Sequence, residues 1–149
     1  MSVIERAYFS GGCFWCTEAI YKRLNGVLGV KPGFSGGNIK NPSYKEVCTG
    51  KTGHAETVEV TYDSSQIRFQ DLLEVFFKTH DPTTLNRQGN DIGTHYRSIV
   101  FYSNSNEMHS IIYYIEYLNN SIYDHNIVTE IVEFDKFYEA ESYHENYYE

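Results

Sequence analysis

The segment that most constrains the fold is HAETVEVTY, residues 54–62, because its side chains alternate in character. Val58, Val60 and Tyr62 are separated by polar residues, as in a β-strand with one face on an apolar core. Such a strand needs hydrogen-bonded neighbours and a layer that covers its apolar face. The sequence therefore predicts a sheet that includes this strand.

Other elements follow from hydrophobic spacing and from glycine and proline positions. Strands are predicted at 5–10, 27–35 (broken at Pro32), 96–102 and 129–134, and helices at 13–24, 69–80 and 107–118. Residues 36–43 and 84–94 are predicted loops, and Gly11 and Gly12 a tight turn that lets the backbone approach a ligand. No repeat or linker divides the chain. We predict one domain, residues 1–149, of the α/β (α+β) class: a two-layer sandwich with helices packed on a small mixed sheet and a ferredoxin-like core.

Charge and composition exclude several partners. The chain has 20 acidic and 12 basic residues and a formal charge of −8, whereas nucleic-acid binding requires clustered cations. Glu5 and Arg6 interrupt any signal core, and Glu116 interrupts the longest apolar stretch, so we expect a cytoplasmic protein without a membrane partner. Three cysteines in such a chain favour free or reactive thiols over a disulfide framework.

Two of these cysteines lie in GGCFWCTE, directly after a predicted strand. If a helix begins near Cys13, the helix dipole and the free backbone N–H groups both favour its thiolate. Cys16 follows one helical turn later, at a Cα distance of roughly 5–6 Å, which is within disulfide reach. The pair is a candidate redox switch, and Phe14 and Trp15 provide an apolar surface for a substrate with a small apolar group.

Three other interpretations of this segment remain open. In the first, the two cysteines are half of a zinc site, and Cys48 or distant histidines would have to supply the other ligands. A general dithiol oxidoreductase also carries such a pair at a helix start. Finally, Cys16 shares a predicted helix face with Ala19, Ile20 and Leu24, where it would be a buried apolar residue.

Glu56 interrupts the apolar pattern of the clearest strand. Strict alternation places its carboxyl group on the apolar side. Burial there would raise the carboxyl pKa and make Glu56 a candidate proton donor near neutral pH. The alternative is a position at the strand edge, where Glu56 is either solvated or paired with a lysine such as Lys45 or Lys51.

Five motifs resemble those of the A-class peptide methionine sulfoxide reductases. They are GCFW, GFSGG, NPSYKEVCTGKTGHAETVEV, RQGNDIGTHYRS and AESYHENYY, and together they extend from about residue 7 to residue 148. The resemblance implies an enzyme that repairs oxidised proteins by reducing methionine-S-sulfoxide, free or protein-bound. It also implies thioredoxin as electron donor and no metal or organic cofactor.

The resemblance implies roles for individual residues. Cys13 matches the nucleophile that attacks the sulfoxide sulfur and becomes a sulfenic acid, and Glu56 matches the acid that protonates the oxygen. Phe14 and Trp15 match the apolar pocket for the terminal methyl group. Tyr44 and Tyr96 match two phenols that hydrogen-bond the oxygen, and Asp91 matches one further carboxylate of the site.

The chain departs from the family pattern at two positions. Cys16 stands where many members have Gly, and Phe34 stands where Tyr is more usual and removes one hydroxyl. Many members carry recycling cysteines in a C-terminal tail, whereas no cysteine follows Cys48 here. We therefore expect Cys16 to resolve the sulfenic acid as a Cys13–Cys16 disulfide that thioredoxin reduces, Cys48 to be structural, and the protein to be a monomer.

Overall fold

The computed structural model describes residues 3–12, 14–37, 46–47, 49, 52–88, 91–121 and 126–140, with only the backbone at Phe14 and Asp91. Its elements, in chain order, are β1 (Ile4–Ser10), α1 (Phe14–Tyr21), β2 (Val27–Ser35), β3 (Ala55–Asp63), α2 (Phe69–Thr79), β4 (Arg87–Gln88), β5 (Asp91–Ile92), a 3-10 turn (Thr94–Tyr96), β6 (Ile99–Tyr102), α3 (Ser105–Ser121), β7 (Glu130–Glu133) and β8 (Phe137–Glu139).

Six strands form one mixed sheet in the order β7-β6-β1-β3-β2-β8. Its strand pairs are antiparallel except for β6 with β7, which is parallel. β3, the strand with the clearest alternation, lies inside the sheet between β1 and β2. The predicted mixed sheet with helices is confirmed, while the two-layer sandwich and the ferredoxin-like core stay predictions.

The two faces of the sheet are covered differently. On one face, Phe9 and Val58 join a buried cluster to which all three helices contribute. On the other face, Tyr8 and Phe101 are covered by the chain around Phe134, whose ring stacks on Tyr8 at a centroid distance of 3.8 Å. Within the described ranges, no helix combines the length and apolar character that crossing a membrane requires.

Helix α1 ends three residues earlier than predicted. Tyr21 is fully buried and its hydroxyl donates to the carbonyl of Leu72 in α2 at 2.9 Å, which anchors the last turn. The chain then leaves the helix and reaches Gly26, whose φ of +96° favours glycine. The predicted inward face of α1 is wrong: among the side chains of this helix that the structure describes, Glu18 and Tyr21 are buried, whereas Cys16 is exposed and Ala19 and Ile20 are only partly buried.

Strand β2 is continuous, and the predicted break at Pro32 is wrong. Pro32 is buried and pairs with Val58 of β3. Its carbonyl accepts a hydrogen bond from Ala140 at 2.9 Å. A proline fits here because its fixed φ is compatible with extended backbone and its carbonyl still enters the sheet. The only irregularity in the register of β2 against β3 lies between Val27 and Gly29.

The predicted loop at 84–94 contains the β4–β5 pair and the start of the 3-10 turn, so the strand predicted from residue 96 begins only at Ile99. β8 was not predicted, because three residues are too short for alternation to be recognised. Helices α2 and α3 lie where the spacing places them, with small shifts at their ends.

Candidate active site

Segments that carry predicted site residues meet at one end of the sheet. In the antiparallel register, Phe9 near the end of β1 lies opposite Val58 near the start of β3. Ser10 Oγ lies 2.7 Å from Thr57 Oγ1, and Ser10 also pairs with Ile99 at the start of β6. The glycine turn after β1, the start of β3 and the 3-10 turn before β6 therefore lie together, and we call this place the site end.

Glu56, the second residue of β3, is 2 % exposed. Its Cα partner across the sheet is Phe34, the penultimate residue of β2, which is also buried. Directly opposite residues in an antiparallel pair share a face, so the phenyl ring of Phe34 lies on the same side of the sheet as the carboxyl group of Glu56. The solvated alternative for Glu56 is wrong, because the residue is almost fully buried, and the lysines named as its possible partners, Lys45 and Lys51, lie outside the described residues.

Tyr96 is the last residue of the 3-10 turn and is half-buried. Its ring centroid lies 4.1 Å from that of His95, which is buried. Gly93 begins the turn with a φ of +147°, and a Cβ there would lie 2.7 Å from the His95 ring. The turn contacts β3 and β4, and it brings Tyr96 to the site end.

Trp15 and Cys16, both in the first turn of α1, differ in their exposure to solvent. Trp15 is half-buried and packs against the main core cluster, whereas Cys16 is exposed. The interpretation of Cys16 as a buried apolar residue is therefore wrong. Glu18 faces inward instead, with its carboxylate 3.3 Å from Nζ of Lys22 one turn later.

Three predicted residues lie outside the described residues: Cys13, Tyr44 and Cys48. The backbone of Phe14 begins α1, and that of Asp91 pairs with Gln88 in the β4–β5 pair. Among the side chains that the structure describes, no three His, Cys, Asp or Glu residues form a group that could bind a metal.

Gly11 and Gly12 form a turn, as predicted, and their backbone approaches side chains of the protein itself. A Cβ on Gly11 would lie 2.8 Å from Phe76 and 3.0 Å from His80. Gly12 has a φ of +94°, and a Cβ there would lie 3.0 Å from Cβ of Gln88. A side chain at Gly11 would force Phe76 to shift, and at Gly12 the left-handed φ itself favours glycine.

A cavity of about 190 Å³ lies beside this turn, and Cys16, His80 and Gln88 line it. Burial lowers the pKa of His80 to about 4, so the ring is neutral at physiological pH. Neither His80 nor Gln88 was predicted as a site residue from the sequence. The available signals were that His80 stands at the Asp-Pro stop of α2 and that Gln88 lies inside the RQGND motif.

The chain is similar to known proteins over nearly its whole length. Residues 5–149 match the family described as peptide methionine sulfoxide reductase. A relative from Saccharolobus solfataricus, named peptide methionine sulfoxide reductase MsrA, is 53% identical over 146 residues, which cover 98% of this chain and 82% of the relative.

Solved structures of methionine sulfoxide reductases are also similar to this chain. Methionine sulfoxide reductase A of Corynebacterium diphtheriae has a TM-score of 0.92 at 35% identity, covering 97% of this chain and 73% of that one. Mxr1 from Saccharomyces cerevisiae in complex with Trx2 has a TM-score of 0.69 at 26% identity, covering 93% of this chain and 82% of that one.

Proposed function

Because the chain belongs to the peptide methionine sulfoxide reductase family, we propose that this oxidoreductase repairs oxidised proteins by reducing methionine-S-sulfoxide, free or protein-bound. The observation that carries the proposal is Glu56, a carboxyl group only 2 % exposed at the site end, where the turn that leads to Cys13 also lies. The preference for the S epimer is supported by family membership alone.

In the first step, the thiolate of Cys13 attacks the sulfoxide sulfur while Glu56 gives a proton to the oxygen. The attack joins the two sulfur atoms; the S–O bond of the sulfoxide then breaks, the protonated oxygen is transferred to the Cys13 sulfur, and the S–S bond breaks as methionine leaves. The sulfoxide sulfur thereby gains two electrons, and Cys13 loses two electrons and becomes a sulfenic acid. A sulfoxide oxygen is a poor leaving group until it is protonated, so a neutral buried carboxyl group suits this step. Regeneration of the thiol then restores the starting enzyme.

Further residues hold the substrate. Hydrogen bonds to the oxygen come from the phenols of Tyr96 and Tyr44, and Asp91 supplies a further carboxylate at the site. Phe14 and Trp15 form the pocket for the terminal methyl group. The half-buried position of Trp15, with one side on the core, supports this role because an aromatic ring fixed by packing can present its other side to a substrate.

In the second step, the Cys16 thiol attacks the sulfenic sulfur, a Cys13–Cys16 disulfide forms and water leaves. The exposure of Cys16 supports this role, since the thiolate of a reductant has to reach a sulfur of the disulfide in order to reduce it. A thioredoxin dithiol then reduces the disulfide and becomes a disulfide itself. The complex of a relative, Mxr1, with Trx2 supports this partner.

We also propose a ferredoxin-like core in a two-layer arrangement. It is supported by the strand order β6-β1-β3-β2 and by the helices that follow β1 and β3.

The reaction is tested by stoichiometry without a reductant. Pre-reduced protein is mixed with excess methionine-S-sulfoxide, methionine is counted per chain, and the disulfide is mapped by mass spectrometry. We expect one methionine per chain and a Cys13–Cys16 bond. A Cys13–Cys48 bond would overturn the resolving role of Cys16, and the absence of methionine would overturn the function.

Matched variants test the individual roles. C16S should still form one methionine and leave a sulfenic acid that dimedone traps on Cys13, but it should lose steady turnover with thioredoxin, whereas C48S should keep it. E56Q should slow methionine formation by about 100-fold, since general acids contribute on that order. E59Q, on the opposite face of the same strand, should not slow it. Wild-type rates for E56Q would contradict the acid role.

A further inference from the structure

We propose that His80 and Gln88 are positioning residues that hold the backbone turn leading into Cys13. We call these two side chains the turn clamp. The proposal rests on the proposed function for its kinetic consequence, because the turn matters for catalysis only if Cys13 is the nucleophile. The contacts of the clamp with Gly11 and Gly12 stand independently of that function.

The His80 side of the clamp supports Gly11. The ring lies so close that a Cβ on Gly11 would be 3.0 Å from its Cδ2. The ring itself packs on Phe76, with centroids 3.9 Å apart, one helical turn earlier in α2. The Gly11 backbone therefore rests on a surface that is fixed by the core.

Two hydrogen bonds fix the orientation of the His80 ring. Nδ1 contacts the carbonyl oxygen of Phe76, which can only accept, so Nδ1 carries the proton. Nε2 of the neutral ring then accepts from the hydroxyl of Ser98 at 2.8 Å, and Ser98 in turn accepts from Thr129 at 2.8 Å. Ser98 lies two residues after Tyr96, so His80 connects the glycine turn with the segment that carries a proposed substrate contact.

The Gln88 side of the clamp supports Gly12. A Cβ on Gly12 would lie 3.0 Å and 3.1 Å from Cβ and Cγ of Gln88. The amide of Gln88 is held at both ends by the backbone of Asp81. It accepts from the Asp81 N–H at 2.9 Å and donates to the Asp81 carbonyl. The backbone of Gln88 also pairs with Asp91, so this one residue joins the glycine turn, the end of α2 and the β4–β5 pair.

The two sides of the clamp start from adjacent residues, because Asp81 directly follows His80. One point in the fold thus determines where both glycines lie, and Cys13 is the next residue in the chain. Displacing a reacting group by about 1 Å can cost on the order of 100-fold in rate. Loss of either clamp residue should therefore slow the chemical step more than it weakens substrate binding.

The experiment compares two clamp variants with two matched controls. H80N keeps a donor toward Phe76 but loses the acceptor for Ser98, and Q88M keeps the length of the side chain but loses both amide hydrogen bonds. H109N and Q70M make the same replacements at exposed positions of α3 and α2. Pre-reduced proteins, checked for folding by circular dichroism, are assayed for single-turnover methionine formation against sulfoxide concentration and for the alkylation rate of Cys13 by iodoacetamide.

We expect H80N and Q88M each to lower the limiting rate by about 10-fold to 100-fold, with a half-saturating concentration within about twofold of wild type. The rate of Cys13 alkylation should change severalfold in both clamp variants and should stay at the wild-type value in both controls. The proposed role of the clamp would be overturned if folded H80N and Q88M had the same limiting rates and alkylation rates as the controls. If wild type forms no methionine, the proposed function fails and the alkylation rates alone decide the clamp.

Discussion

Acidification should destabilise the protein through His80. Burial lowers the pKa of this ring from 6.5 to about 4, while the nearby Asp81 acts in the opposite direction. Lys78, at the end of α2, and Cys16 line the two cavities that His80 also borders. Between pH 6.5 and pH 4 the unfolded chain binds a proton that the folded ring does not, so stability falls as the pH falls through this window.

The size of this effect follows from the two pKa values. With 6.5 for the unfolded chain and about 4 for the folded ring, proton linkage predicts a loss of about 2 kcal/mol between pH 7 and pH 5. The loss reaches about 3 kcal/mol at pH 4 and does not grow much below it, because both states are then protonated. Carboxyl groups contribute over the same range, so the effect of His80 has to be isolated by a variant.

The assay is urea unfolding of wild type and H80N at pH 7, 6 and 5, with H109N as the exposed control. The free energy of unfolding of wild type relative to H80N should decrease by about 2 kcal/mol from pH 7 to pH 5, because acidic groups common to both proteins cancel. H109N should follow wild type. A difference between wild type and H80N that stays constant with pH would refute the assignment of a neutral, buried ring.

Two further substitutions test the packing around the site. Y21F removes a buried hydroxyl that donates to a carbonyl of α2, and it should cost about 1 kcal/mol in urea unfolding, whereas Y113F at an exposed position should cost nothing measurable. G93A forces a side chain onto a φ of +147° and against His95, so it should lower stability by about 1–3 kcal/mol and slow methionine formation. G29A, where a Cβ meets nothing within 4 Å, is the control; equal losses in both glycine variants would contradict the strain argument.

Part of the candidate site was predictable from local pattern. Alternation placed Glu56 on the apolar face of its strand, and the structure places it there, because a period of two fixes the side of the sheet within any one strand. Tyr96 and Asp91 had no such pattern and came only from the resemblance of their motifs. Cys16 was predicted on the buried face of its helix and is exposed instead. The buried side of an eight-residue helix depends on which element covers it, and the spacing of residues does not report that element.

The sequence by itself determined the class of the fold, the amphipathic helix α2 and the inward direction of Glu56, because each follows from the spacing of apolar residues within individual helices and strands. Only the tertiary structure decided that His80 and Gln88 meet Gly11 and Gly12, and that Pro32 lies within a continuous strand. These contacts join residues far apart in the chain, and a periodic pattern reports which side a residue faces but not what lies there. The site end depends on strand register and helix packing, which form only when the whole sheet assembles.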